Sequence, residues 1–203
     1  MAAYLKPENP LLVQIRVVTA LMLRDMRVTF GTSQLGYLWA IASPAFGTTM
    51  LVLIFSFVSR HPPLGTSFAL FFALGILPFE MYRKINSSLM GVLDQNKGLL
   101  SYPLVKETDV IFARFFLVLF TYLLIMIIFI GGLILAFDVA WPSRLEEVLA
   151  AIGATALLGF GSGVSNALVL RFWASWRQVE GILSRPLFFI SGVLYIPGGF
   201  PPS

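Results

Sequence analysis

Long runs of uncharged, mostly apolar residues restrict this chain to one kind of fold. Phe115–Phe137 and Val148–Leu170 each contain 23 residues without a charged side chain, and Gly36–Ser59 contains 24. A helix of about 20 residues, rising ~1.5 Å per residue, crosses the ~30 Å hydrocarbon core of a bilayer. Charged residues make up only 12% of the chain, against roughly 25% in soluble proteins. The sequence therefore predicts an all-α polytopic membrane protein.

Two further apolar segments bring the predicted number of transmembrane helices to five. Ser67–Leu89 is long enough to span a bilayer, and Gly181–Pro197 is a shorter segment with Pro186 near its start. Pro44 should kink the first span, because proline removes a helical hydrogen bond. Residues 36–197 are therefore predicted to form the transmembrane domain.

Residues 1–34 are predicted to form a cytoplasmic N-terminus that contains an interfacial helix. In the stretch 11–27, apolar residues share one helix face: Leu11, Ile15, Val18, Met22 and Met26. Three basic residues lie roughly opposite: Arg16, Arg24 and Arg27. This pattern is typical of an amphipathic helix with its basic face toward anionic headgroups. A signal peptide is the alternative, but the short apolar core is followed by charged residues and lacks a small-residue cleavage site.

The lysine and arginine residues predict the orientation of the spans. If the N-terminus is cytoplasmic, twelve of the 14 basic residues fall on the cytoplasmic side, and only Arg60 and Arg144 fall outside. Cytoplasmic loops of membrane proteins carry such an excess of basic residues. This topology puts Gly91–Arg114, a long polar stretch between spans, in the cytoplasm. It also explains the net charge of +4 without a nucleic-acid partner.

Three charged residues inside the second span admit two interpretations. Glu80 is followed by Arg83 and Lys84, so its carboxylate can pair with either base on one helix face. If the helix is tilted, both basic side chains reach the cytoplasmic interface with Glu80 as their partner. Alternatively, an ionisable residue within a membrane marks a transport pathway, and Glu80 then serves as the proton relay of a secondary transporter or flippase.

Residues needed for common catalytic and metal sites are missing from the sequence. There is no G-x-x-x-x-G-K-[ST] loop to hold ATP, and one histidine with no cysteine disfavours zinc. Ser162 lies in a glycine-rich run, but it lacks a glycine two positions before it and a nearby histidine. Gly159 and Gly163 are instead spaced for close helix contact. We predict no catalytic residue and no metal, which disfavours a membrane-embedded enzyme of polymer synthesis.

Several short motifs occur in an order that one protein family shares. They are Leu-Gly-Tyr-Leu-Trp at 35–39 followed by Pro44, Leu77-Pro78-Phe79, Asn96-Lys97-Gly98-Leu99-Leu100-Ser101-Tyr102-Pro103, and Asp109 followed by Ala113-Arg114. On these motifs the chain resembles the membrane subunit of a type-2 ATP-binding-cassette (ABC-2) exporter, in the capsule polysaccharide branch. The likeness extends over residues 11–197.

The resemblance implies a coupling helix that docks on an ATPase, in the cytoplasmic stretch between the second and third spans. By position this helix corresponds to Val92–Pro103, within the coupling segment 91–114. The polar residues expected to contact the ATPase are Asp94, Gln95, Asn96 and Lys97. The expected apolar anchors are Leu99, Leu100 and Tyr102, and Pro103 is expected to end the helix.

The resemblance also implies partners and a substrate. The permease is expected to be a homodimer in the bacterial inner membrane, with ATP and Mg²⁺ bound by separate ATPase subunits and no cofactor in this chain. Its substrate is expected to be an acidic, lipid-linked capsular polysaccharide, handed to periplasmic export components. Basic residues near the inner mouth would attract such a polymer, and flat aromatic rings would contact its sugars. The channel or substrate candidates are of three kinds. They are the acidic Glu80, the basic Arg83, Lys84 and Arg114, and the aromatic Phe188, Phe189 and Tyr195.

One difference from the family concerns the end of the chain. The family has six spans and a cytoplasmic C-terminus, whereas five spans would leave the end of this chain outside. Residues 198–203 resemble the start of the family's external re-entrant region. The sequence is therefore expected to be a fragment or truncated product that lacks the sixth span.

Overall fold

The computed structural model of this protein describes residues 10–30, 34–58, 68–102, 105–137 and 144–191. These residues form eight helices and no strand: α1 (Pro10–Phe30), α2 (Gln34–Val58), α3 (Phe68–Met90), α4 (Val92–Gln95), α5 (Lys97–Leu100), α6 (Glu107–Phe137), α7 (Leu145–Phe172) and α8 (Trp176–Ile190). The all-α prediction is confirmed. Pro103, the side chain of Phe189, Tyr195 and residues 198–203 lie outside the described part of the chain.

Within the described residues, α6 and α7 are the helices long and apolar enough to cross a membrane, over Glu107–Leu135 and Leu145–Phe172. α6 begins well before the predicted span at Phe115, because its polar first turns are capped. The Asp109 carboxylate accepts a hydrogen bond from the Lys106 backbone N–H at 3.2 Å. Two helices with the length and apolarity of membrane spans are therefore present among the described residues, while the count of five spans stays a prediction.

α3 supplies the centre of the main hydrophobic core. Its fully buried side chains recur at helical spacing: Phe72, Ile76, Leu77, Met81, Ile85 and Leu89. Val118, Tyr122 and Ile125 of α6 belong to the same buried cluster. Pro78 lies inside α3, yet the helix continues to Met90. α3 is therefore the element against which the neighbouring helices pack.

α7 packs on α3 through a face of small residues. The buried residues of α7 are Ala156, Gly159, Gly163 and Ala167. A Cβ atom added at Gly159 would lie 3.1 Å from the Cβ of Ile85, and one added at Gly163 would lie 2.8 Å from the Cβ of Leu89. Such distances leave no room for a side chain, so the glycines allow the two helices to approach closely.

A second, smaller hydrophobic cluster joins α1, α4 and α6. Leu21 of α1, Val92 of α4, and Val110 and Ala113 of α6 are its buried residues. The face of α1 that packs here is centred on Leu21 rather than on the predicted Ile15, which is 60% exposed. Val18 and Met22 of the predicted apolar face pack on this cluster as well, and the interfacial position of α1 stays a prediction.

α8 begins earlier than the predicted apolar segment. It starts at Trp176 and contains Pro186, so the predicted loop Arg171–Arg177 is reduced to residues 173–175. Two side chains in its first turns bond to other helices: the Trp176 indole donates to Asn166 at 3.0 Å, and Glu180 accepts from Asn86 at 2.7 Å. These bonds stabilise a turn that hydropathy alone marks as an interfacial loop.

Candidate functional site

α4 and α5 form a short polar connection between α3 and α6, which we call the α4–α5 connection (residues 92–100). A single coupling helix was predicted here, but Asn96 separates two short helices. The Asn96 side chain donates to the Val92 carbonyl at 2.8 Å, and its backbone N–H bonds to the Leu93 carbonyl at 3.3 Å. Asparagine side chains that bond to nearby carbonyls compete with regular helix. The break therefore has a local cause.

The outward face of the connection carries a charged pair, and an exposed ring follows it. The Asp94 carboxylate lies 3.0 Å from the Lys97 ammonium, and these side chains are 52% and 77% exposed. Tyr102 is 65% exposed, and a Cβ at Gly98 would meet no atom within 4 Å. Polar groups around an exposed aromatic ring are typical of a surface that contacts another protein.

The inward face of the connection holds residues that were expected on the surface. Leu99 and Leu100 are half-buried against the second cluster, so only part of each side chain is open to a partner. Asn96 is 5% exposed, and its side-chain oxygen accepts a hydrogen bond from Arg24. The expected role of Asn96 as an external polar contact is therefore wrong, because its side chain is used inside the molecule.

An ionic node lies beneath the connection, and its members are Arg24, Asp25, Asn96 and Arg114. Asp25 is its centre and is 3% exposed; its carboxylate accepts from Arg24 at 2.6 Å and lies 3.1 Å from the Arg114 guanidinium. Arg114 also donates to the side chain of Gln95 at 3.3 Å. Its side chain is 15% exposed. Pairing and burial of the guanidinium argue against the expectation that Arg114 attracts substrate at the inner mouth.

Sequence reasoning missed Asp25 as a site residue. It was treated as part of the charged end of α1, although it is the only acidic residue between Glu8 and Glu80. The signal that could have identified it is a single carboxylate on an otherwise basic helix. Its partner Arg114 is far along the chain, so the pairing itself was not visible in the sequence.

Glu80 pairs with one of its two predicted partners. Its carboxylate lies 3.1 Å from the Arg83 guanidinium, and the side chains are 35% and 51% exposed. Lys84 is also exposed. The three residues line a cleft of about 170 Å³ together with Glu180 of α8. Partial exposure and pairing within one helix turn fit the interpretation in which the basic side chains reach the interface.

A chain of hydrogen bonds links α3, α7 and α8, and sequence reasoning missed it as well. Trp176 donates to Asn166, Asn166 donates to Asn86 at 2.8 Å, and Asn86 donates to Glu180 at 2.7 Å. Ser184 also donates to the Glu180 carboxylate. Asparagine in two predicted spans was the available signal, since polar side chains inside a membrane bundle bond across helices.

The aromatic candidates divide between the described and undescribed parts of the chain. Phe188 packs edge-on against Phe79 of α3, with ring centroids 5.4 Å apart. Its ring is partly buried beside the main core, which limits the face that it could offer to a sugar. The side chain of Phe189 and the whole of Tyr195 are not described.

A cleft of about 670 Å³ opens between the α4–α5 connection and the turn from α7 to α8. Asp94 and Lys97 line it on one side, and Arg171 and Arg177 line it on the other. The Arg177 guanidinium lies close to the backbone at Gly91: a Cβ added there would be 3.1 Å from it. The cleft brings to one place basic residues from α5, α7 and α8.

Comparison with known proteins identifies the family. No family model matches the chain. The polysialic acid transport protein KpsM of Escherichia coli is 30% identical over 183 residues, which cover 90% of this chain and 71% of KpsM. The chain belongs to the capsule polysaccharide export permeases of the ABC-2 type.

Two further members of this permease family are similar over nearly the same share of the chain, at lower identity. The capsule polysaccharide export inner-membrane protein CtrC of Neisseria meningitidis is 25% identical over 94% of this chain and 72% of CtrC. The corresponding protein BexB of Haemophilus influenzae is 25% identical over 96% of this chain and 73% of BexB. The resemblance predicted from the motifs is confirmed, and the ABC-2 permease described here is an inner-membrane protein.

Proposed function

We propose that this permease is the membrane subunit of an exporter of capsular polysaccharide and that a separate ATPase drives it. The observation that carries the proposal is the α4–α5 connection, whose outward face holds Asp94 and Lys97 with Tyr102 next to it. Its inward face is fixed on the second cluster. A surface of this kind accepts a partner without deforming.

In this proposal the ATPase binds ATP and Mg²⁺, and two copies of the permease form the channel. Closure of the ATPase dimer on ATP pushes on the α4–α5 connection, and rigid-body motion switches the channel between its states. No nucleotide chemistry is assigned to this chain, because it has no phosphate-binding loop. Its own contribution is to position helices around the path of the polymer.

The substrate in this proposal is acidic and lipid-linked, and basic side chains on the ATPase side of the bundle attract it. Arg83 and Lys84 remain candidates because both are exposed. Arg177 joins them at the cleft beside α5. Arg114 does not, because its guanidinium is paired with Asp25 and its side chain is only 15% exposed.

The first test asks whether the chain needs an ATPase. The permease is reconstituted in liposomes with and without the ATPase from the same export system, and polymer export is measured with ATP. Export that requires both proteins supports the proposal. Export without the ATPase that stops when the proton gradient is collapsed would favour a secondary transporter that uses Glu80.

The second test locates the docking surface. Tyr102→Ala removes the exposed ring and should reduce co-purification of the ATPase while the permease remains folded. Phe172→Ala is the matched control, because Phe172 is an exposed aromatic residue at the end of α7, outside the connection. Co-purification that is equal in both variants contradicts the assignment of the connection.

A further inference from the structure

The ionic node connects three separate elements through one buried carboxylate. Asp25 belongs to α1, Arg114 belongs to α6, and Asn96 lies between α4 and α5. Arg24 bonds to Asp25 and to Asn96 with the same terminal nitrogen. The Asp25 carboxylate therefore positions the Arg24 guanidinium, and that guanidinium bonds to Asn96, the residue at which the chain breaks between α4 and α5.

The balance of charge makes Asp25 the critical member. Two guanidiniums, Arg24 and Arg114, share one carboxylate, so removal of that carboxylate leaves two like charges close together with no counter-charge in the node. Among the described residues, the Nε atoms of both arginines and the Oδ2 atom of Asp25 are buried without a hydrogen-bond partner, although Oδ2 lies 3.1 Å from the Arg114 guanidinium. Asp25 and Arg114 are therefore held together by charge rather than by a hydrogen bond. Breaking a buried ion pair from one side is strongly destabilising for the local arrangement.

Apolar packing ties the same three elements together. Leu21 of α1, Val92 of α4, and Val110 of α6 are buried in the second cluster. A further polar bond from α1 to α6 runs from the Gln14 amide to the Asp109 carboxylate at 3.3 Å. The main core around α3 is a different cluster. The node thus lies beside the smaller of the two clusters, which meets the main core at Ile111 of α6.

We propose that Asp25 is a positioning residue for transport: it locks α1, the α4–α5 connection and the first turns of α6 into one rigid unit. A push on the connection is then carried by α1 and α6 together, and α1 is part of the machinery that transmits force. The transport role rests on the proposed function, in which the connection receives the ATPase. The rigid unit itself is a property of this chain alone.

The rigid unit is tested first in the permease without any ATPase. The chain has no cysteine, so two cysteines can be introduced for spin labels: Leu23→Cys on the exposed side of α1 and Gly98→Cys in the open space on α5. In lipid nanodiscs the label-to-label distance distribution should be narrow. Asp25→Asn should broaden it, because the carboxylate charge is lost while the side-chain shape is kept.

A matched control removes a different carboxylate near the same place. Glu107→Gln breaks the exposed pair between Glu107 and Arg171, which are 3.4 Å apart and link α6 to α7 rather than to α1. This variant should keep the narrow distribution. A distribution that is equally narrow in the parent, Asp25→Asn and Glu107→Gln overturns the rigid unit.

Transport by the complete exporter is the second readout. Asp25→Asn should still co-purify with the ATPase, because it does not touch the outward face, but polymer exported per ATP should fall by roughly twofold to thirtyfold, the range found for mutations along coupling networks. Asp25→Glu, which restores the charge, should recover most of the loss. Unchanged export per ATP in Asp25→Asn overturns the positioning role, as does a loss that Asp25→Glu does not recover.

A second variant covers the case in which Asp25→Asn does not fold. Asn96→Ala removes the acceptor of Arg24 without leaving a buried carboxylate unpaired, and it should broaden the same distance distribution and lower export per ATP.

If Tyr102→Ala leaves ATPase binding intact, the proposed docking surface is wrong, yet the distance measurement still decides whether the rigid unit exists. The two failures are therefore distinguishable.

Discussion

Gly163 of α7 lies directly against Leu89 of α3: a Cβ added to Gly163 would be 2.8 Å from the Leu89 Cβ and 3.2 Å from the Cα of Asn86. This contact sets the distance between the two helix backbones. It also sets the register that brings the Asn166 side-chain amide N–H within hydrogen-bond distance of the Asn86 side-chain oxygen, at 2.8 Å. Helix packing and the polar network therefore depend on the same glycine.

We first predict that Gly163→Ala destabilises the permease by about 1–3 kcal/mol, the usual cost of overpacking a tight core. The added methyl group forces α7 away from α3. Gly161→Ala is the control on the same helix, because a Cβ there meets nothing within 4 Å and alanine favours helix over glycine. Thermal unfolding in detergent should show a lower Tm for the first variant only. Equal Tm values would contradict the close approach.

A second prediction concerns the polar network. Asn166→Leu removes the partner of both Asn86 and Trp176. Asn86 is 4% exposed, and an unpaired buried polar group costs about 1–3 kcal/mol. Stability should therefore fall, and α8 should detach first, since Trp176 and Glu180 lie in its first turns. Limited proteolysis near residues 173–175 would detect this. Thr155→Val, which removes only an exposed bond within α7, should leave the cleavage rate unchanged.

A third prediction separates docking from folding at the α4–α5 connection. Exposed ion pairs stabilise a protein by only about 0–1 kcal/mol, so Lys97→Glu should leave Tm nearly unchanged although it breaks the pair with Asp94. It should nevertheless weaken co-purification of the ATPase. The double variant Asp94→Lys with Lys97→Asp restores an internal pair with reversed positions. If the ATPase contacts each of these charges directly, the double variant also binds weakly. Full binding by the double variant would show that the ATPase requires only the ion pair and not the position of each charge.

A fourth prediction concerns orientation in the membrane. A reporter fused after Lys97 should be cytoplasmic, and one fused after Pro142 should be external, because twelve of 14 basic residues then lie inside. Fusion of alkaline phosphatase, which is active only outside, measures both positions. An active enzyme after Lys97 would place the α4–α5 connection on the wrong side for an ATPase.

The sequence by itself determined the class of protein and its family. Uncharged runs such as Phe115–Phe137 and Val148–Leu170 predicted membrane helices, and α6 and α7 contain them. The short motifs predicted the ABC-2 permease family, and the relatives confirm it. These properties follow from composition and local order along the chain, because a bilayer selects helices by length and apolarity.

Only the tertiary structure decided which polar residues belong to which site. Asn96 was expected on the surface, but it accepts a hydrogen bond from Arg24 of α1. Arg114 was expected at the channel mouth, but it pairs with Asp25 of α1. The bonded partners lie far apart in the chain: 72 residues separate Arg24 from Asn96. A polar side chain has the same local pattern whether it faces solvent or a buried partner. Pairings of this kind are set by how the helices pack, and helix packing is not encoded in any single stretch of the sequence.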